Sequence, residues 1–357
     1  MTSYPKSSRT LRIVRIPHWQ AFTTLALTVG VIALVVTGCA GDRKVANPLS
    51  SRAYIDHALQ LMQANAVYVP VGGWQAVTDR AHQLAEQATT PGGTYPAILY
   101  TLDQLRQAGD LHARFTNAFT AKLQASAGAA ALGPSPPPSV SLVNGRLGLI
   151  ELPGIASVQQ SPNWRRYVST ALAGISRLQA RHHPCGWIVD LRNDTGGSMS
   201  PMLLSVGPIL GGGRLIGFTG KRVSLYYVSY RNGVISGGGE RSTDRAPITV
   251  PDFRPTPPVA VLTGVQTASA GEVVTVAFRG RANTRSFGTP TAGATTVPRA
   301  YRLADGAQVI FAVAYYVDRH GTTVYKHPIA PDVSVPSFST DPASRWLLST
   351  KACSRTH

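Results

Sequence analysis

The chain has 357 residues, 43% of them hydrophobic, which gives room for one large or two modest domains with a real core. With 34 glycines, 26 prolines and only 14% charged residues, the composition argues against a helical bundle and for a loop-rich α/β or α+β protein. The net charge is +17, yet there is no zinc-ligand spacing, no recognition-helix pattern and no Lys/Arg run interleaved with aromatics, so nucleic acid is not an expected partner. The charge reads instead as a surface facing anionic lipid or cell-wall polymer.

The first stretch carries Lys6, Arg9, Arg12 and Arg15 and no acid. Ala21 to Val36 is almost continuously apolar, 16 residues. That is short of the roughly 20 a membrane span needs and fits a signal-peptide core. Val36-Thr37-Gly38-Cys39 follows at once and resembles a bacterial lipobox, which implies cleavage before Cys39 and acylation of its thiol. Residues 1–38 are therefore expected to be a lipoprotein signal peptide and 39–50 a tether, leaving the rest extracytoplasmic on a membrane. In that compartment Cys185 and Cys353 are free to pair as a disulfide.

From Ser51 the pattern turns helical. Ile55, Ala58, Leu59, Met62 and Ala66 share one face, Trp74, Val77, Ala81, Leu84 and Ala88 form a second stripe, and Ile98, Leu102 and Leu105 a third that ends at Gly109. This predicts an N-terminal helical subdomain over 51–130. Ser135-Pro136-Pro137-Pro138-Ser139 sits in a semi-rigid linker, 131–141. Over 142–350 short apolar runs alternate with helical stretches: Leu147–Leu152, Trp187–Leu191, Val259–Leu262 and Val309–Val313 read as strands, Trp164–Gln179 and Ala270–Arg279 as helices. Alternation of this kind predicts an α/β core.

Three stretches carry chemistry. Gly186 to Ser198 runs a strand into Asp190 and Arg192, then the Gly196-Gly197 turn, where backbone N–H groups can approach a ligand closely. Val259 to Glu272 runs a strand through Thr267-Ala268-Ser269-Ala270 into a helix; Ser269 at the helix start is either an N-cap or a nucleophile favoured by the helix dipole. Gly109-Asp110-Leu111-His112-Ala113-Arg114-Phe115 places a His just after the third helix.

Together with Gly288-Thr-Pro-Thr-Ala-Gly293 and Tyr325-Lys-His-Pro-Ile-Ala-Pro331-Asp332, these segments resemble, in order, the catalytic core of the C-terminal processing (tail-specific) peptidases and the related tricorn-core and retinoid-binding-protein-like proteins. The resemblance implies a crotonase-like (ClpP-type) α/β fold. It implies Ser269 as nucleophile, an oxyanion hole from Gly196 or Gly197 with Ala270, and no metal or organic cofactor. One branch of the family uses a Lys base, and the matching position here holds Ala294. The other uses a His, which His112 matches. That branch's orienting Glu corresponds here to Tyr325, so Asp110, Glu272 and Asp318 stand as alternative orienters. The interval between Phe115 and Leu147 is too short for a PDZ-like insert.

The reading is thus an exported, lipid-anchored serine peptidase acting on a peptide or protein substrate by a Ser-His mechanism, with an esterase using the same pair as a variant. The alternative is a catalytically weak or inactive protein that binds apolar ligands or peptides on the same fold; Pro201, Met202, Leu203, Leu204, Tyr226 and Tyr227 are then its candidate pocket lining, although ordinary core and sheet positions are the stronger reading of them. The oligomeric state is left open.

Overall fold

The computed structural model describes residues 50–127, 135–237, 243–253, 255–335 and 339–354. The expected signal segment and Cys39 lie outside the described residues. The first apolar stripes form helices α1 (Ser51–Asn65), α2 (Gly73–Leu84) and α3 (Tyr95–Gln107), the last entered through a 3₁₀ turn at Pro91–Thr94. Ser50 starts α1 by accepting the Ala53 N–H on its hydroxyl, 3.2 Å, which satisfies one of the donors a helix start leaves unpaired. After α3 the chain continues through strand β1 (Arg114–Thr116) into α4 (Ala118–Ala127).

The remainder builds two sheets. Strands β2 (Ser139–Val143) and β3 (Leu147–Glu151) lead to helix α5 (Pro162–His182), β4 (Gly186–Asp190) and α6 (Met199–Leu210). A meander follows, β5 (Gly213–Gly220), β6 (Val223–Arg231), β7 (Val234–Ser236) and β8 (Thr243–Arg245). Then come β9 (Val259–Thr263), α7 (Ala270–Phe278), β10 (Thr284–Gly288), β11 (Thr296–Arg302), β12 (Gln308–Val317), β13 (Val324–Tyr325), β14 (Val333–Ser334) and the terminal helices α8 (Asp341–Leu348) and α9 (Lys351–Ser354).

The first sheet has the order β14-β10-β9-β4-β3-β2, parallel except for the β2–β3 hairpin. Its central strands β4 and β9 are buried at every position, as expected of a parallel sheet covered on both faces. The second sheet is antiparallel, order β1-β12-β5-β6-β7-β8, with β11 and β13 also on β12. The α/β expectation therefore holds, but half of the sheet structure is antiparallel.

Strand β12 joins the parts. Val309, Phe311 and Val313 pack on the α1–α3 cluster, while Ala314 and Tyr316 enter the core that α5, α6 and α7 share with both sheets. β1 pairs with β12 at Arg114↔Ile310, so the segment after α3 is fixed to the core by backbone bonds. The helices of 51–130 thus share that strand with the core, and β2 begins inside the stretch read as a linker.

Met202, Leu203 and Leu204 are fully buried core residues of α6. They fill the interior, as the core reading of these residues expects. Tyr226 packs against the same core, and Tyr227 lies under the Arg214 guanidinium at 4.5 Å. A cavity of about 540 Å³ near the C-terminal end of α7 has a mixed lining, with Val261 and Phe278 beside Arg279, Arg281, Arg285 and Asp332. Among the described residues no helix is long and apolar enough to cross a membrane.

Cys185 and Cys353 form a disulfide that ties the C-terminal helices to the start of β4 across 168 residues of sequence. Closing so long a loop restricts the unfolded chain, so Cys353→Ser is expected to lower stability by about 2–5 kcal/mol. Denaturant unfolding should show the lowered midpoint.

Candidate active site

Ser269 lies at the junction of β9 and α7, with φ 50° and ψ −110°. A non-glycine residue in this region is strained, and such strain persists only where the surroundings over-determine it. Glu272, one turn into α7 and fully buried, supplies the restraint. Its Oε2 accepts the Ser269 N–H at 2.8 Å. Its Oε1 accepts the Thr291 hydroxyl at 2.5 Å and the Gly293 N–H at 2.8 Å. Thr291 in turn receives the Ile329 N–H at 2.8 Å. The Gly288–Gly293 and 325–332 segments singled out in the sequence are thus the brackets that hold the Ser269 turn. Burial raises the Glu272 carboxyl above its ordinary range, and these hydrogen bonds oppose the rise.

The Gly196-Gly197 turn packs against the other side of Ser269. A methyl group on Gly196 would lie 2.7 Å from the Ala268 carbonyl and 2.9 Å from Ser269 Cβ, and Gly196 has φ +93°. Only glycine permits that approach. Asp190 shapes the start of the turn by accepting from the Arg192 backbone at 3.0 Å and from its Nε at 2.9 Å. The Gly196 N–H is committed to Asp194 Oδ1 at 2.8 Å. Of the two glycines expected to face an oxyanion, Gly197 is the one whose N–H, like that of Ala270, meets no acceptor among the described residues.

His112 arrives from the α3–β1 connection. Its Nε2 lies 3.3 Å from Ser269 Oγ, across 157 residues of sequence, and its Nδ1 lies 2.9 Å from Thr296 Oγ1. None of the three expected orienters touches the imidazole. Asp110 is buried and bonds backbone: Oδ1 accepts the His112 N–H at 2.9 Å and Oδ2 the Ala312 N–H of β12 at 2.8 Å. Glu272 is occupied with the Ser269 turn. Asp318 accepts from His320, Thr322 and Thr323 in its own loop; burial would raise its pKa, but these bonds hold it at about 2. The correction is physical: each carboxylate is already saturated by nearer N–H and O–H donors. Thr296, buried on β11, holds the place beside Nδ1 and carried no signal in the sequence. Tyr325 pairs with Tyr316 in the β12–β13 ladder, and Ala294 is buried without chemistry.

His112 is 5% exposed, and burial, reinforced by the Arg114 charge, lowers its pKa to about 4. A lowered pKa keeps the imidazole neutral through the acid range where an ordinary histidine of about 6.5 would be protonated. Any reaction that needs neutral His112 is expected to hold its rate down to about pH 5 and fall to half near pH 4. At pH 5.5 an unperturbed histidine would give roughly a tenth of the plateau. A pH–rate profile of the free protein distinguishes the two. Among the described residues there is no group of His, Cys, Asp and Glu arranged to hold a metal.

Against known proteins, the model of peptidase family S41 matches residues 146–335, more than half of the chain. The chain belongs to peptidase family S41. That match includes Ser269 and the Gly196-Gly197 turn but not His112. Over 166 residues the chain is 32% identical to the nisin-resistance protein of Lactococcus lactis subsp. lactis, covering 46% of this chain and 50% of that protein. Over 151 residues it is 28% identical to the carboxy-terminal processing protease CtpA of Bacillus subtilis, covering 42% of this chain and 28% of that protein. The match thus spans half or less of the length of these curated relatives.

Among solved structures, a lipoprotein from Streptococcus agalactiae aligns with TM-score 0.63 and 24% identity, over 85% of this chain and 98% of that one. The photosystem II D1 C-terminal processing protease aligns with TM-score 0.54 and 16% identity, over 86% and 99%. At these identities the likeness shows the fold alone.

Proposed function

We propose that this S41 member is an exported, lipid-anchored serine peptidase in which Ser269 and His112 form the catalytic pair. The observation that carries the reading is the 3.3 Å approach of His112 Nε2 to Ser269 Oγ, between segments on different parts of the chain. The tautomer this reading assigns carries the proton on His112 Nδ1, 2.9 Å from Thr296 Oγ1, so that the Nε2 lone pair faces the hydroxyl. Ser269 Oγ attacks the scissile carbonyl carbon as its proton passes to His112 Nε2. The Gly197 and Ala270 N–H groups receive the developing oxyanion, at the positive end of α7. The tetrahedral adduct collapses, the C–N bond breaks, and His112 returns the proton to the leaving amine. Water, deprotonated by His112, then hydrolyses the acyl-enzyme.

A peptide or protein substrate is supported by family membership and by the CtpA relative, itself a carboxy-terminal processing protease. The crotonase-like core is supported by the parallel run β3, β4, β9, β10 with α5 and α7 as crossovers. The helices of 51–130 act as a subdomain whose task is to deliver His112. Lipidation at Cys39 is supported by the lipobox resemblance of Val36-Thr37-Gly38-Cys39.

The test is covalent: residues 40–357, made without lipid, are treated with a fluorophosphonate probe. Labelling of the wild type that is absent in Ser269→Ala is the expected result. A folded wild type that takes no label would defeat the reading.

A further inference from the structure

Asp194 has no part in the proton transfers above, yet it lies directly beneath the site. It is fully buried in the loop between β4 and α6. Its Oδ1 accepts the Gly196 N–H at 2.8 Å, and its main-chain carbonyl accepts the Ala268 N–H at 2.9 Å. One residue therefore holds both arms that meet at Ser269: the glycine turn through its side chain, the nucleophile turn through its backbone. The carboxyl also lies close against the first turn of α7, where a methyl group on Gly271 would come within 2.8 Å of Asp194 Cγ. Oδ2 is buried and meets no hydrogen-bond partner among the described residues.

We infer that Asp194 is a positioning residue of the oxyanion site, acting as a neutral acid whose Oδ1 draws the Gly196 N–H aside so that the Gly197 and Ala270 N–H groups converge on the reacting carbonyl. This rests on the Ser269–His112 reading. A buried carboxylate with an unpaired oxygen is costly, and none of its hydrogen bonds comes from a cation. Burial holds this carboxyl well above its ordinary range, the Gly196 N–H opposes the rise, and nearby Glu272 adds to it. The neutral acid places a carbonyl-like oxygen at Oδ1. An asparagine amide reproduces that oxygen in nearly the same shape, whereas alanine removes it.

The experiment is the kinetics of fluorophosphonate labelling, which phosphonylates the serine and loads the same N–H groups, resolved into the limiting rate and the probe's half-saturating concentration. Asp194→Ala is expected to lower the limiting rate by about 10²-fold with half-saturation within about twofold, the signature of donors that act only in the transition state. Asp194→Asn is expected to restore the rate to within about fivefold of wild type. Thermal unfolding of each variant fixes a temperature at which all are folded. Asp194→Ala that loses stability but labels at the wild-type limiting rate overturns the inference and leaves the peptidase reading standing. Asp194→Asn that folds but labels as slowly as Asp194→Ala overturns the neutral-acid role. Should Asp194→Ala not fold, Asp194→Leu, which keeps bulk and removes the oxygen, takes its place, and a wild-type limiting rate in it overturns the inference. A folded wild type that takes no label overturns both readings.

Discussion

Ser269→Ala and His112→Ala are each expected to lower kcat on a peptide substrate by about 10⁴–10⁶-fold, and the double variant no further. The reason lies in how the two side chains share one step. A serine hydroxyl is a poor nucleophile at its ordinary pKa and needs a base within hydrogen-bond reach as it attacks. His112 Nε2 is the group at that distance, 3.3 Å. Removing either partner leaves only what the N–H groups and substrate binding supply. The residual rate, roughly 10³–10⁴ over water in comparable hydrolases, should therefore be alike in all three variants. Both positions are buried, so each variant also loses some stability, and the comparison is made below every unfolding transition. Steady-state rates decide it: losses that multiply in the double variant would mean the two residues act independently, and the pair would not be a catalytic unit.

The parts of this site that were legible in the sequence have a backbone signature. The Gly196-Gly197 turn and the Thr267–Glu272 strand-to-helix turn must place glycine or a helix start at fixed offsets from a strand, so they survive as local patterns. His112 is legible only through resemblance, because its contact with Ser269 spans 157 residues. What delivers it is the β1–β12 pairing together with Asp110 bonding the Ala312 N–H, and neither feature has a local pattern.

Thr296 is illegible for a related reason. Carboxylates are the usual orienters of a histidine, and the sequence holds three candidates: Asp110, Glu272 and Asp318. Each was nearer, in the folded chain, to backbone donors that needed it. A threonine at the start of a strand carries no such flag, since threonine is common in strands for its shape alone. The antiparallel meander β5–β8 is less legible because β5 is broken by Gly217, β6 is partly exposed, and β7 and β8 are three residues each, unlike the continuous apolar runs of β4 and β9.

Gly196→Ala is expected to lower kcat by about 10²–10³-fold while leaving the proton-transfer pair chemically intact. The argument is steric. The added methyl would meet the Ala268 carbonyl at 2.7 Å and Ser269 Cβ at 2.9 Å, both backbone or first-carbon atoms that cannot swing away. The φ of +93° adds strain that glycine alone escapes. Relief requires the turn to retreat from Ser269, and that carries the Gly197 N–H away from the carbonyl it should meet. An N–H displaced by even an ångström gives up most of its transition-state bond, because the donor is useful only at hydrogen-bond distance from the oxygen. The His112 pH limb near pH 4 should persist in the variant, since the imidazole environment is untouched. Gly92→Ala is the matched control: a methyl there meets nothing within 4 Å, and its activity should equal wild type. Equal activity in Gly196→Ala would mean that the turn does not form part of the reaction site, and the oxyanion would have to be held by the start of α7 alone.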